Sequence, residues 1–441
     1  MATPVAQGPP KRLLPPEPAF YVERALEDGI CAIHHCCISL DMRLHILGIG
    51  PVGNLLAFHL RRALPGHHPI TLIHKTQKQA NEVLQHGGIV RIENEGVVAT
   101  AHDFGSEVFE ADKPATASEG SRAGGACPID SLFITTKAHS TVPAIQRLLP
   151  RLSPNTTIVL MHNGMGVYEE LVHDVFRNPE QRPHFILSSN THGVFRKDTA
   201  KLFVHSGVGS IQFGIVPDPR GRNFEAGFND TTLPPFARRP RLSDITSSES
   251  DPAYKRYASL RTTVAALMLM EPLNVSWLPL SEVQTAMRRK LVANTVINCL
   301  TALMGCRNGD IFIASAAVRI MQRVCREASE AFVAEYTSES KAWLASLAMQ
   351  GVDIENVPVA KFPRALSAKA LEVEVRRVTE ATKGNISSML ADVRRGRLTE
   401  VDFINGYLLK LGSTYDVPMP AISMLRNLVK MRSAIPIDQM L

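Results

Sequence analysis

Short apolar runs mark the first half of the chain. They cover residues 44–47, 70–73, 132–135 and 157–160, and turn-forming or helix-like sequence follows each run. Continuous apolar runs of this length are typical of strands that are buried on both faces, as in a parallel sheet covered by helices. The first half therefore predicts an α/β domain.

Apolar positions in the second half recur at intervals of three and four residues instead. This spacing predicts helices after Ser281, over about 315–336, 342–348, 366–390 and 403–411. We therefore expect an all-α domain to follow the α/β domain.

Shifts in composition predict the domain boundaries within the 441 residues. Residues 1–41 are rich in Pro, and we expect a disordered extension there. The α/β domain should cover 42–280 and the helical domain 281–441. Two segments of the α/β domain, near 110–127 and 215–254, are rich in Ala, Gly, Ser or Pro and are expected to be flexible insertions.

Overall composition is that of an ordinary globular protein, with 45% hydrophobic and 20% charged residues. The longest uncharged apolar run, 291–306, is too short to cross a membrane, so no membrane association is expected. The seven cysteines include no CxxC pair, which favours reduced thiols and predicts no metal site. A cytoplasmic location follows as the default, and a mitochondrial one stays open.

Basic residues are concentrated near the start of the α/β domain. Between Met42 and Ala80 the chain carries Arg43, Arg61, Arg62, Lys75 and Lys78 but no carboxylate. Nucleic-acid surfaces normally add aromatic residues to such a patch, and Phe58 is the one aromatic residue of this stretch. We therefore expect a compact anionic ligand and no nucleic acid.

A glycine turn links the first strand to a helix. It reads Gly48-Ile49-Gly50-Pro51-Val52-Gly53, the order of a dinucleotide-binding turn in a Rossmann-like domain. Gly48 would allow the tight turn, Gly50 the approach of a pyrophosphate, and Gly53 close packing of the helix. Lys75 stands at the end of the second strand, where an NAD site usually has an acid, so NADPH is the expected cofactor.

Polar residues also stand where ligands of α/β proteins bind. Lys137 and Asn163 follow the third and fourth apolar runs, at the carboxyl ends of presumed parallel strands. In the helical half, Lys290, Asn294 and Asn298 recur every four residues and share one helical face. Solvated helix faces rarely use repeated Asn, so this polar face is predicted to meet a ligand.

Several of these segments together resemble the ketopantoate reductase (2-dehydropantoate 2-reductase) family. The matching segments, in family order over about two-thirds of the chain, are GIGPVG, TTKA around Lys137, HNGMG around Asn163, RKLVANTVINCLTALMGCRNG at 289–309 and NISSMLADVRRGRLTEVDFING at 385–406. The two C-terminal segments are much more specific than the glycine turn.

The resemblance implies NADPH-dependent reduction of 2-dehydropantoate to (R)-pantoate, on the route to pantothenate and coenzyme A. It implies that Lys290 is the general acid and that Glu400 acts at the junction of cofactor and substrate. The implied substrate contacts are Lys290, Asn294, Asn298, Asn308, Asn385 and Ser388. The implied cofactor contacts are the glycine turn, Lys75, Lys137, Asn163, Val194 and Glu400.

Two alternatives to this implied function remain open. The same residues could reduce another small 2-keto acid, because the sequence does not reveal pocket volume. The chain could also be a catalytically silent relative that serves as a binding or regulatory module, although the Lys, Asn, Ser and Glu set is complete. The apolar helical half is compatible with a homodimer.

Overall fold

A computed structural model describes residues 42–85, 87–108, 127–197, 202–247, 249–355 and 357–435. The predicted extension at 1–41 lies outside the described residues, as does the predicted insertion near 110–127 with the exception of Cys127. Within the described part, the α/β half comes first and the helical half second, and the predicted fold class is confirmed.

An eight-stranded sheet forms the centre of the α/β half, in the order β12-β11-β8-β7-β6-β1-β2-β5, and a second sheet has the order β4-β3-β10-β9. The strands are β1 (Leu44–Leu47), β2 (Ile70–His74), β3 (Val90–Asn94), β4 (Val97–Ala101), β5 (Phe104–Val108), β6 (Ser131–Ile134), β7 (Thr157–Leu160), β8 (His184–Asn190), β9 (Gly193–Lys197), β10 (Leu202–Gly207), β11 (Ile211–Ile215) and β12 (Val275–Trp277). From β8 to β5 the large sheet is parallel, and β11 runs antiparallel to β8.

The apolar runs of the sequence form the central strands of the large sheet. Every residue of β1, β6, β7 and β8 is buried, because helices cover both faces of the sheet. The helices of this half are α1 (Pro51–Ala63), α2 (Gln77–Gln85), α3 (Thr141–Leu148), α4 (Val167–Glu170), α5 (Leu242–Ile245) and α6 (Tyr254–Met268). One core cluster joins Leu47, Ile134 and Leu160 of the strands to Ile145 of α3 and Val167 of α4.

The second sheet packs against α1. Its strands β9 and β10 lie within 186–214, where the sequence predicts strand and turn without assigning a sheet. Strands β3 and β10 pair in parallel although more than a hundred residues separate them, a pairing that local sequence cannot reveal.

The Pro-rich segment 215–254 has little regular structure beyond α5 and a 3-10 turn at Pro235–Ala237. It is nevertheless anchored to α6, since the Tyr257 hydroxyl donates to Asp218 Oδ2 at 2.5 Å. Arg222 pairs with Asp251 at 3.0 Å and also stacks on the Tyr257 ring. Ile245 is fully buried.

The helical half comprises α7 (Leu280–Met304), α8 (Ser315–Met349), α9 (Ala368–Ala381), α10 (Ser388–Arg394), α11 (Val401–Thr414) and α12 (Pro420–Ala434). The other five helices all contact α7, whose apolar residues lie in one large core cluster. The helix bounds correct two predictions. Residues 315–336 and 342–348 belong to one helix. Residues 337–341 between them contain no Gly or Pro to end the helix, and their polar side chains are mostly exposed to solvent. The predicted helix 366–390 is divided, because α9 ends at Ala381 and Ser387 caps α10.

Glu327 joins α8 to the start of α12. Its carboxylate is buried and accepts the backbone N–H groups of Ala421 and Ile422, each at 3.1 Å, and it also pairs with Arg323 at 2.9 Å. We expect Glu327→Ala to lower the free energy of unfolding by about 2 to 4 kcal/mol, because a buried and a partly buried backbone donor lose a charged acceptor.

Chemical denaturation of Glu327→Ala beside the wild type measures this loss. The matched control is Glu330→Ala on the exposed face of the same helix, which should leave stability within about 0.5 kcal/mol of the wild type. Equal losses in the two variants would contradict the assigned contact.

Candidate active site

A cleft of about 1960 Å³ opens at the carboxyl ends of the parallel strands, and α7, α9 and α10 line its opposite wall. Its walls include every residue that the sequence analysis assigns to a site, with the exception of Gly53. Residues more than 250 positions apart in the chain therefore meet around one space.

The glycine turn forms one end of the cleft. Gly48 has φ +100°, and a Cβ there would lie 2.5 Å from the backbone nitrogen of Thr136. A Cβ on Gly53 would overlap the carbonyl oxygen of Gly48 and lie 2.7 Å from Thr135 Oγ1, so Gly53 sits behind the cleft wall. Gly50 has open space around its Cβ position. A side chain at Gly48 or Gly53 would therefore collide with neighbouring backbone, whereas Gly50 borders open space.

Lys75 directly follows β2, and its exposed side chain lies on the cleft wall. Arg91 of β3 adds a second cation to this wall, and Glu82 of α2 adds an acid. The sequence analysis missed Arg91, because nothing in the local pattern places β3 beside the dinucleotide turn. Val194 of β9 also lines the cleft.

Lys137 joins the two halves of the molecule across the cleft. Its Nζ atom lies 2.8 Å from Asp392 Oδ2 on α10 and 3.2 Å from Glu400 Oε2 before α11. The other oxygen of Glu400 accepts the backbone N–H of Ala138 at 3.1 Å. Burial acts against the charge of Lys137, but the two carboxylates outweigh it and raise the pKa of Lys137 above its usual value.

Asp392 is a cleft residue that the sequence analysis missed. It lies four positions after Ser388 and therefore on the same face of α10, within a segment already matched to the family. The four-residue spacing from Ser388 could therefore have indicated Asp392 as a cleft residue.

Lys290 projects from α7 toward the ends of β7 and β8. Its Nζ atom donates to Asn163 Oδ1 at 2.8 Å and to the backbone carbonyl oxygen of Asn190 at 2.5 Å. An ammonium carries three N–H donors, so one remains for a ligand in the cleft. Burial lowers the pKa of Lys290 to about 8.

Amide and hydroxyl groups line the cleft beyond Lys290. Asn294 and Asn298 follow it at four-residue intervals on α7, and both face the cleft. Asn308 donates through Nδ2 to Thr382 Oγ1 at 2.9 Å, while its buried Oδ1 accepts no hydrogen bond from the described residues. Its backbone N–H donates to the carbonyl of Asn385 at 3.0 Å.

Two adjacent serines at the start of α10 have different surroundings. Ser387 is buried. Its Oγ atom accepts hydrogen bonds from the backbone N–H of Leu390 at 3.1 Å and from the hydroxyl of Thr301 at 2.7 Å. Ser388 is exposed and lies on the cleft wall. Both serines line the cleft, and the hydroxyl of Ser388 is the more exposed of the two.

The cleft thus places a lysine of lowered pKa between a dinucleotide-type turn and a set of neutral hydrogen-bonding groups. Such a lysine can protonate a developing alkoxide, because its pKa lies close to neutral pH.

Among the helices in the described ranges, none has the length and apolar composition that a membrane crossing requires.

The comparisons identify the chain as an oxidoreductase. Residues 44–218 match the family model described as ketopantoate reductase PanE/ApbA, and residues 282–433 match the model of its C-terminal part. The chain belongs to the ketopantoate reductase family, and the resemblance seen in the sequence is confirmed.

Curated relatives span most of this chain. A 2-dehydropantoate 2-reductase of Vibrio cholerae is 27% identical over 391 residues, which cover 88% of this chain and 97% of the relative. A 2-dehydropantoate 2-reductase of Saccharomyces cerevisiae is 24% identical over 375 residues, covering 85% and 89%. A solved D-mandelate dehydrogenase with NADH and anilino(oxo)acetate shares the fold, with a TM-score of 0.58 at 16% identity and coverage of 89% and 99%.

Proposed function

We propose that this protein reduces 2-dehydropantoate to (R)-pantoate with NADPH, a step toward pantothenate and coenzyme A. The observation that carries the proposal is the position of Lys290, whose ammonium is held by Asn163 and Asn190 inside the cleft. The names of the curated relatives support the substrate.

The unpaired cysteines Cys127, Cys299, Cys306 and Cys325 support a reducing compartment, and we place the reaction in the cytosol.

NADPH would supply the hydride that reaches the carbonyl carbon. The residues around the glycine turn fit a dinucleotide, since Gly50 leaves open space and α1 presents its first N–H groups beside it. Lys75 would pair with the 2′-phosphate. Val194, Asn163 and the Lys137–Glu400 pair would line the path from the phosphates to the substrate.

The substrate would bind between α7 and α10. Lys290 would donate its third N–H to the ketone oxygen and transfer that proton as negative charge develops. Ser388 would contact the carboxylate, and Asn308 Oδ1, which has no donor among the described residues, would accept the substrate hydroxyl. Asn294, Asn298 and Asn385 would complete the polar lining without repelling the anion.

Cofactor preference tests the role of Lys75. We expect Lys75→Ala to reduce the NADPH-to-NADH ratio of kcat/KM by about 10-fold, because an exposed cation that faces a phosphate contributes modestly. Steady-state kinetics with both cofactors measures this ratio. Lys78→Ala, on α2 and away from the cleft wall, is the control, and an equal loss there would refute the assignment.

The assay that tests the whole proposal follows NADPH oxidation with 2-dehydropantoate, beside NADH and beside other 2-keto acids. The D-mandelate dehydrogenase that shares the fold was solved with NADH and anilino(oxo)acetate, so arylated 2-keto compounds belong among the comparisons. Turnover restricted to NADPH and 2-dehydropantoate supports the proposal. Faster turnover of another 2-keto acid would replace the substrate, and NADPH binding without any turnover would favour a silent relative.

A further inference from the structure

The second acceptor of Lys290 is a backbone carbonyl, which no side-chain replacement at position 190 can remove. Asn190 is the last residue of β8, and its own side-chain oxygen accepts the backbone N–H of His192 at 2.9 Å. Asn190 pairs with Ile211 of β11 on one side, and the position of its carbonyl also depends on how the segment after β8 is held.

The His192 ring holds this segment from two sides. The backbone N–H of Gly209 donates to His192 Nδ1 at 3.0 Å, and His192 Nε2 lies 2.9 Å from the carbonyl oxygen of Leu273. A backbone N–H can only donate and a carbonyl can only accept, so His192 must be neutral with its proton on Nε2. The ring thereby ties the end of β8 to the loop before β11 and to the turn before β12.

The surroundings keep His192 neutral. Its ring is buried, and burial lowers its pKa. His205 of β10 places its Nε2 atom 2.9 Å from His192 Nδ1. His59 of α1, with Arg62 near it, also faces this pair, and positive charge on any of these groups would oppose protonation of His192.

We propose that His192 is a positioning residue for Lys290, acting through the Asn190 carbonyl. The inference rests on the proposed role of Lys290 as proton donor. When the ring is removed, the segment 190–192 keeps the backbone hydrogen bond from Thr191 to Ser210 but loses its ties to Gly209 and Leu273. We expect the Asn190 carbonyl then to hold the ammonium less well. Glu400, which favours the charged ammonium, and the buried His162 also face Lys290, and both are unchanged in such a variant. Losing an acceptor disfavours the charged form of an amine, so the basic limb of the pH profile moves to lower pH.

The test is His192→Phe, which keeps a planar ring without its hydrogen bonds. We expect kcat at pH 7.5 to fall about 10- to 100-fold and the basic limb to move down by at least about half a pH unit. The dissociation constant of NADPH should change by less than about 3-fold. His192→Asn, which keeps an acceptor near Gly209, should fall between the wild type and His192→Phe.

His184→Phe is the matched control. His184 is a buried histidine at the first residue of β8, the end of the strand away from Asn190. Its Nε2 atom lies 2.8 Å from the carbonyl oxygen of Arg256. We expect this variant to lower the unfolding temperature without moving the basic limb. Equal shifts of the limb in both variants, or an unchanged limb in His192→Phe, would overturn the inference.

A second readout separates this inference from the proposed function. Competitive acetylation of Lys290 with acetic anhydride at several pH values, followed by mass spectrometry, reports the pKa of Lys290 without any substrate. If the wild type does not reduce 2-dehydropantoate, the proposed function fails, yet a lower pKa of Lys290 in His192→Phe would still support the positioning role. An unchanged pKa would reject it.

Discussion

Replacement of Lys290 by alanine is expected to lower kcat by about 10²- to 10⁴-fold, the range of a positioned general acid. The reason is that the developing alkoxide loses both its proton source and the charge that stabilises it. NADPH binding should be largely kept, because the glycine turn and Lys75 lie at the other end of the cleft. Single-turnover kinetics and cofactor fluorescence measure the two effects separately.

Lys290→Arg distinguishes proton donation from simple charge. Arginine keeps the positive charge but does not release a proton near neutral pH. Turnover of Lys290→Arg should therefore exceed that of Lys290→Ala by the share due to charge alone and stay well below that of the wild type. Lys369→Ala, on the exposed face of α9, is the control and should match the wild type. Near-normal turnover in Lys290→Ala would remove the proton-donor assignment.

The pH profile of the wild type follows from the same residue. Burial lowers the pKa of Lys290 to about 8, and the acid must be protonated to act. Turnover should therefore be retained below this pKa and decline as the pH rises through about 8. In Lys290→Ala this basic limb should disappear.

The glycine turn gives the second large expected effect. Gly53→Ala should both destabilise the protein and weaken NADPH binding at least about 10-fold, because the new Cβ overlaps the Gly48 carbonyl. Gly50→Ala should weaken NADPH binding about 10- to 100-fold with little change in unfolding temperature, since its Cβ enters open space that the pyrophosphate would occupy.

Thermal unfolding and cofactor titration of both variants measure this contrast. Gly66→Ala provides the control, because its Cβ also meets nothing within 4 Å and it lies in a turn away from the cleft. Unaltered NADPH binding in Gly50→Ala would contradict the placement of the pyrophosphate at this turn.

Much of the fold could be predicted from the sequence because its signals are local. The strands at 44–47 and 157–160 have the predicted bounds, since each is a continuous apolar run that ends at turn-forming residues. The polar face of α7 could likewise be predicted, because four-residue spacing places Lys290, Asn294 and Asn298 on one side of a helix.

Long-range contacts could not be predicted in this way. The contact between Lys290 and the Asn190 carbonyl involves the backbone, so the residue type at position 190 does not indicate it. Asp392 is an ordinary polar residue of a short helix in the sequence, and only the folded structure shows its contact with Lys137. The continuity of α8 through 337–341 also escaped prediction, because polar residues on an exposed helix resemble a loop when only composition is considered.

The arrangement of α7 bears on how such a protein can change its substrate. Lys290, Asn294 and Asn298 are fixed on one rigid helix, so a substitution that shifts this helix disturbs proton transfer and substrate recognition together. Val378 of α9, Thr382 and Ser388 of α10 line the same cleft from other elements. Directed evolution toward bulkier 2-keto acids should therefore accumulate its first productive substitutions at these positions and spare α7.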